Sequence, residues 1–240
     1  MHNATRADVI EDVASSEYAW LFKAVYGPDA FADVDVAYHN VADAIATFES
    51  SKLVTTYSSR YDAYAAGLKW VLTAKEKRGL APFNGKALCN QCHPSAGRKA
   101  LFTYFSYDNL GLPANPAFTR PPLGFDAVPD VGLGSFLRTA RYPEAVAKLS
   151  DGAFKVPTLR NVGKTAPYGH NGVFRTLAAI VHFYDTRDVA GAGWAPPEVP
   201  QNVNVDELGD LGLTAAEESD IVAFLRTLDD KVGLNPRLLR

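Results

Sequence analysis

A chain of 240 residues with 47% hydrophobic content can bury a real core, enough for one large domain or one and a half ordinary ones. Its net charge of -3 and sequence pI near 6.0 exclude the basic face that a nucleic-acid partner requires, so no nucleic acid is expected. No apolar run approaches the roughly 18 residues of a membrane span, and no membrane span is expected.

In chain order the pattern is mostly helical. Residues 7–24 predict a first helix, and Gly27-Pro28 separates it from a second over 33–51. In that second helix Val36, Val41, Ile45 and Phe48 fall near helical spacing and predict one buried face. Residues 57–64 are aromatic and polar without a clear period. Residues 68–80 predict a helix running toward Gly85, which can release the backbone for a turn. From Tyr107 to Leu149 the density of Gly, Pro and Asn predicts a long irregular segment of the kind that often serves a site. Thr214-Ala215-Ala216-Glu217 reads as a capping box. After it Ile221, Val222, Phe224, Leu225 and Leu228 make an apolar stripe on a terminal helix.

Both cysteines lie in Cys89-Asn90-Gln91-Cys92-His93, the spacing that attaches a c-type haem. Two thiols add to the haem vinyl groups and the adjacent histidine gives an axial nitrogen to iron. A bare Cys-x-x-Cys also suits a redox dithiol, half a zinc site or a small disulfide, but a zinc site needs two further ligands and a redox dithiol expects a βαβ context. Neither context is present, and one covalent haem c is the expected cofactor. Methionine commonly faces histidine across such an iron. Met1, at the extreme N-terminus, is the chain's one methionine and is poorly placed for that role. His, Tyr, water or an open position remain.

Longer stretches carry a family resemblance. Residues 42–50, Lys75-Glu76-Lys77-Arg78-Gly79-Leu80, residues 102–116, and above all Gly152 to Val162 (GAFKVPTLRNV) are similar to the bacterial di-haem cytochrome c peroxidase and MauG group. Thr165-Ala166-Pro167-Tyr168-Gly169-His170-Asn171-Gly172 and residues 176–184 continue the match. The resemblance implies a mainly α fold: a cytochrome c-like helical domain at 61–240 with long irregular loops around one haem, preceded by a helical segment at 1–60 that matches the inter-haem part of the family. Members carry two haem domains, and a second Cys-x-x-Cys-His does not occur in this sequence. The implied function is that of the C-terminal electron-transfer portion of a peroxide-dependent haem oxidoreductase. A one-haem electron carrier without turnover, or a scaffold that keeps haem for structure, are the other readings.

The resemblance also nominates residues. Tyr184 matches the distal-ligand position, where the MauG branch has tyrosine; His182, its nearest competitor, faces about 200° away on a helix, so both cannot reach one iron. His170 is expected to handle protons or to hydrogen-bond near the haem, or else to fix its own loop. Arg160, more than Lys155, is expected to pair with a haem propionate. The backbone carbonyls of Thr165 and Pro167 match calcium ligands of the family; two carbonyls do not make a calcium site, so calcium is expected only in a longer form. Trp70 and Trp194 are read as filling core or loop space. Implied partners are a redox protein and hydrogen peroxide, and a homodimer is allowed. Cys-x-x-Cys-His attachment belongs to an exported compartment such as the periplasm. Residues 1–6 lack the charged start and apolar centre of a secretory leader, so the expectation is a mature product or a start lying upstream.

Overall fold

The computed structural model describes residues 5–117 and 129–230. Part of the long Gly- and Pro-rich stretch, 118–128, therefore lies outside the described residues. The chain divides into two compact units, the first ending at Thr56 and the second beginning at Tyr57.

The first unit holds α1 (Arg6–Ser15), α2 (Ala19–Tyr26) and α3 (Val34–Ser50). The single helix expected over 7–24 is two helices, because the Ser16 backbone turns extended and its N–H returns to the Val13 carbonyl. A Thr5/Asp8 capping box starts α1, and Asp33 caps α3 by accepting the Val36 N–H. Arg6 pairs with Asp35 at 2.7 Å, tying α1 to α3. The apolar stripe of α3 is not buried as expected: Val36, Ile45 and Phe48 are 59%, 54% and 57% exposed, and Ala37 is the residue that goes inside. Periodicity reveals a stripe but does not say what covers it.

The second unit begins with α4 (Arg60–Ala65), started by a Ser59/Asp62 capping box. The helix expected over 68–80 begins later, since residues 69–71 form a 3-10 turn and Leu72 is extended before α5 (Ala74–Asn84). A Thr73/Glu76 capping box fixes that start, and Arg60 reaches across to the Glu76 carboxylate. Next come α6 (Cys89–Cys92) and β1 (Tyr107–Asp108). The irregular reading of 107–149 misses two short helices, α7 (Leu133–Thr139) and α8 (Glu144–Leu149), held together when Arg138 bonds both Glu144 and Asp151. β2 (Phe154–Lys155) pairs antiparallel with β1, Tyr107 opposite Lys155 and Asp108 opposite Phe154. The fold closes with α9 (Leu177–Thr186) and α10 (Ala215–Leu225), the latter running into a 3-10 turn at Arg226–Leu228.

Helix α10 lies across α5, and Gly79 permits the contact. A Cβ at position 79 would run into the Asp220 carbonyl oxygen and stand 2.9 Å from the Ile221 nitrogen. Around this crossing Phe83 meets Phe224 with ring centroids 5.0 Å apart, Tyr61 meets Phe224 at 5.6 Å, and Tyr61 meets Phe102 at 5.2 Å, all edge to face. Such pairs contribute about 0.5–1.5 kcal/mol each beyond their burial. Ile221, Phe224, Leu225 and Leu228 are buried as the stripe predicts, with Val222 partly so.

The expected capping box at Thr214 is present, and Lys86 at the far end of α5 bonds its Glu217 at 2.9 Å. The Thr214 N–H, Lys86 and the Thr214 hydroxyl together hold the Glu217 carboxyl down to about 2. A depressed carboxylate stabilises the fold fully above its unfolded value near 4.5, and that contribution goes as pH falls toward 2. The Tm of Glu217→Gln should therefore lie below wild type at pH 7, with the gap closing by pH 2; a gap that is independent of pH would refute the assignment.

Candidate haem site

Local backbone geometry presents the thiols. Past α5 the Gly85 and Ala87 N–H groups both return to the Pro82 carbonyl, and Leu88 adopts a left-handed conformation with φ 52°. One helical turn follows, closed by the His93 N–H on the Cys89 carbonyl at 2.8 Å. Three-residue spacing on that turn puts Cys89 and Cys92 on one face. Both are free thiols, and burial is the main cause that pushes Cys89 up to about 12 and Cys92 up to about 11. They are held as S–H, unlike the thiolates of a reactive dithiol or a zinc site. Cys92 Sγ lies 3.9 Å from the Tyr104 hydroxyl and 3.8 Å from Glu207.

His93 is oriented by its neighbour in space. Its Nδ1 stands 2.7 Å from the Phe102 carbonyl oxygen, an acceptor that requires the hydrogen on Nδ1 and leaves the Nε2 lone pair for a metal. Burial lowers the imidazole pKa against the opposing pull of the Phe102 and Pro157 carbonyls, which favours the neutral ligand form. Phe102, wholly buried, has φ 53°, and Phe105 has φ 64°. With Leu88 these are three bulky residues in a costly conformation beside one motif, the distribution expected where a site over-determines its backbone.

Tyr184 lies on α9, whose start Thr176 caps by accepting the Ala179 N–H. Burial raises the phenol above its ordinary range, with further upward contributions from Cys89, Cys92 and Asp108, so it stands within electrostatic reach of both thiols. The ring is partly buried against the core of the second unit. His182, two positions earlier, points elsewhere: its side chain is 52% exposed and its Nδ1 is 2.8 Å from Glu218. These residues fit a c-type haem. Cys89 and Cys92 would anchor it, with His93 and Tyr184 available to iron.

Other nominated residues have different surroundings. Arg160 directs its fork at Asp62, both bonds 2.9 Å, and its Nε at the Ala100 carbonyl at 2.8 Å. Its guanidinium also covers the Tyr57 ring at 4.4 Å. Three of the five N–H groups of Arg160 are thus engaged within the protein. His170 is stacked on Phe154 with centroids 3.6 Å apart and lies 3.7 Å from Glu198. Burial lowers its pKa, while Glu198 and Asp130 raise it. Asn171 bonds both the Pro113 carbonyl and Glu198, so His170 sits in a braced loop. Lys155 bonds the adjacent Val156 carbonyl and lies over Phe105. Trp194 packs edge-on to Phe174 and Phe183, and Trp70 is 76% exposed.

Sequence reading missed Phe102, whose carbonyl orients His93, and the pair Asp108 and Glu207 beside Cys92, both bonded by Asn204. No local pattern marks a carbonyl as a partner. The family model for di-haem cytochrome c peroxidase matches residues 1–69. The chain is 34% identical over 226 residues to the methylamine utilization protein MauG of Paracoccus denitrificans, covering 88% of this chain and 56% of that protein. The chain belongs to the di-haem cytochrome c peroxidase and MauG family.

Other members of the family give the same result. Cytochrome-c peroxidase IdrP1 of Denitromonas iodatirespirans is 34% identical over 231 residues, covering 88% of this chain and 54% of that protein. The crystal structure of the diheme peroxidase BthA from Burkholderia thailandensis superposes with a TM-score of 0.79 at 32% identity, covering 96% of this chain and 60% of that one. The chain thus spans somewhat over half the length of the family members it matches. The mainly α, cytochrome c-like architecture is that of the family, and no helix among the described residues is long and apolar enough to cross a membrane.

Proposed function

We propose that this chain binds one haem c through Cys89, Cys92, His93 and Tyr184 and acts as the electron-transfer portion of a peroxide-dependent oxidoreductase. The observation that carries this reading is the partly buried Tyr184 on α9, within electrostatic reach of both thiols of the motif whose His93 keeps Nδ1 on the Phe102 carbonyl. Bound haem supplies one-electron chemistry at its iron. The protein supplies orientation and charge. Phe102 fixes the tautomer of His93, and the surroundings of Tyr184 disfavour a phenolate unless a cation faces it. A phenolate donor lowers the potential of the centre it binds, which suits sharing oxidising equivalents more than relaying electrons at high potential.

Peroxide as substrate, a redox protein as partner, and export to a periplasm-like compartment belong to the same proposal. Calcium, through the Thr165 and Pro167 carbonyls, belongs to a longer form. The other reading is a one-haem carrier without turnover of its own. Peroxide consumption by the purified holoprotein with an electron donor separates the two: turnover supports the enzyme, and reversible one-electron chemistry without turnover supports the carrier. Replacing Tyr184 by Phe should change the ferric absorption spectrum and raise the midpoint potential. An unchanged spectrum would remove Tyr184 from the iron.

A further inference from the structure

Helices α9 and α10 carry a second constellation that the haem reading does not use. A ring nitrogen of His182 and one carboxylate oxygen each from Asp185 and Glu218 lie within 4.8 Å of one another. The His182 Nδ1 to Glu218 Oε1 separation is 2.8 Å. Asp185 is 4% exposed. Its Oδ1 accepts the Leu213 N–H at 2.8 Å. No Lys or Arg among the described residues pairs with Asp185 or Glu218. With no lysine or arginine on them, the two carboxylates leave room for a dication.

We propose that His182, Asp185 and Glu218 form a divalent transition-metal site that pins α9 to α10. One imidazole nitrogen and two carboxylate oxygens suit zinc, which binds such donors at about 2.0–2.2 Å and so separates them by about 3.3 Å in a tetrahedron. The His182–Glu218 separation is 2.8 Å and no separation in the trio exceeds 4.8 Å, so a turn of the half-exposed His182 ring opens the space an ion needs. His182 is half exposed, which opens the site to solvent and leaves a fourth position for water. His182 and Asp185 flank Tyr184 in sequence, so the bound ion would brace the turn of α9 that carries the phenol.

The test is calorimetric titration of chelator-treated holoprotein with zinc chloride. One zinc ion per chain should bind with a dissociation constant of about 10 μM or tighter, and Tm should rise with zinc concentration as mass action requires. His182→Gln and Glu218→Gln should each weaken binding at least ~10-fold and remove the Tm response. His39→Gln, which alters an exposed histidine on α3, should change neither. Absence of saturable binding, or binding that survives both His182→Gln and Glu218→Gln, would overturn the site whether or not Tyr184 ligates iron.

Discussion

Replacing both Cys89 and Cys92 by alanine should abolish covalent haem while leaving a chain that still takes up haem reversibly. The two thiols occupy one face of a single helical turn and are held as half-buried S–H groups, the arrangement that the proposed attachment needs. His93 is fixed independently by Phe102, not by either cysteine side chain, and its Nε2 would remain a ligand. The double variant should therefore show a haem absorption band in solution yet no haem signal on a denaturing gel. Each single variant should keep one thioether and an intermediate pyridine haemochrome spectrum. Haem that stays with the unfolded double variant would sink the motif reading outright.

The second large effect is expected at Arg160. Its side chain is 10% exposed and that of Asp62 is 4% exposed, with two bonds of 2.9 Å between them. The Asp62 carboxylate also accepts the Ser59 N–H and hydroxyl, so this ion pair secures the start of α4. Arg160→Met keeps most of the packed stem and leaves Asp62 buried without its cation. Breaking a buried pair in this way costs about 3–5 kcal/mol, which in a unit of this size lowers Tm by roughly 10 °C. Denaturant unfolding of the holoprotein measures it. A cost below about 1 kcal/mol, together with a shifted haem potential, would instead favour the propionate role for Arg160. The coupling in an Arg160→Met, Asp62→Asn cycle identifies the pair directly.

Local signals in the chain proved the most legible. Cys89 to His93 announces its chemistry because thioether attachment needs that spacing, and Thr214 to Glu217 announces a helix start because both partners sit three residues apart. The same grammar at Ser59/Asp62 and Thr73/Glu76 fixes α4 and α5, and a reading that overlooks it starts α5 six residues early. Relations across the chain were not legible. Arg160 meets Asp62 over 98 residues, and the bond between His93 and Phe102 joins a ring to a backbone carbonyl that any residue possesses. The stripe of α3 looked like a core face because period reports amphipathicity, whereas burial depends on what lies opposite. Helices α7 and α8 were hidden by the Gly and Pro residues around them, which mark their ends and not the absence of structure.

The missing side chain of Gly79 has a consequence for redesign. Because α10 rests directly on the backbone there, the depth at which α5 sits is set by a position that admits no atom beyond Cα. Lys77, on the open side of the same helix, can be recoded for charge or solubility at little risk. Any library meant to retune the haem surroundings should hold residue 79 constant, since a larger residue there would lift the helix and carry the attachment cysteines with it.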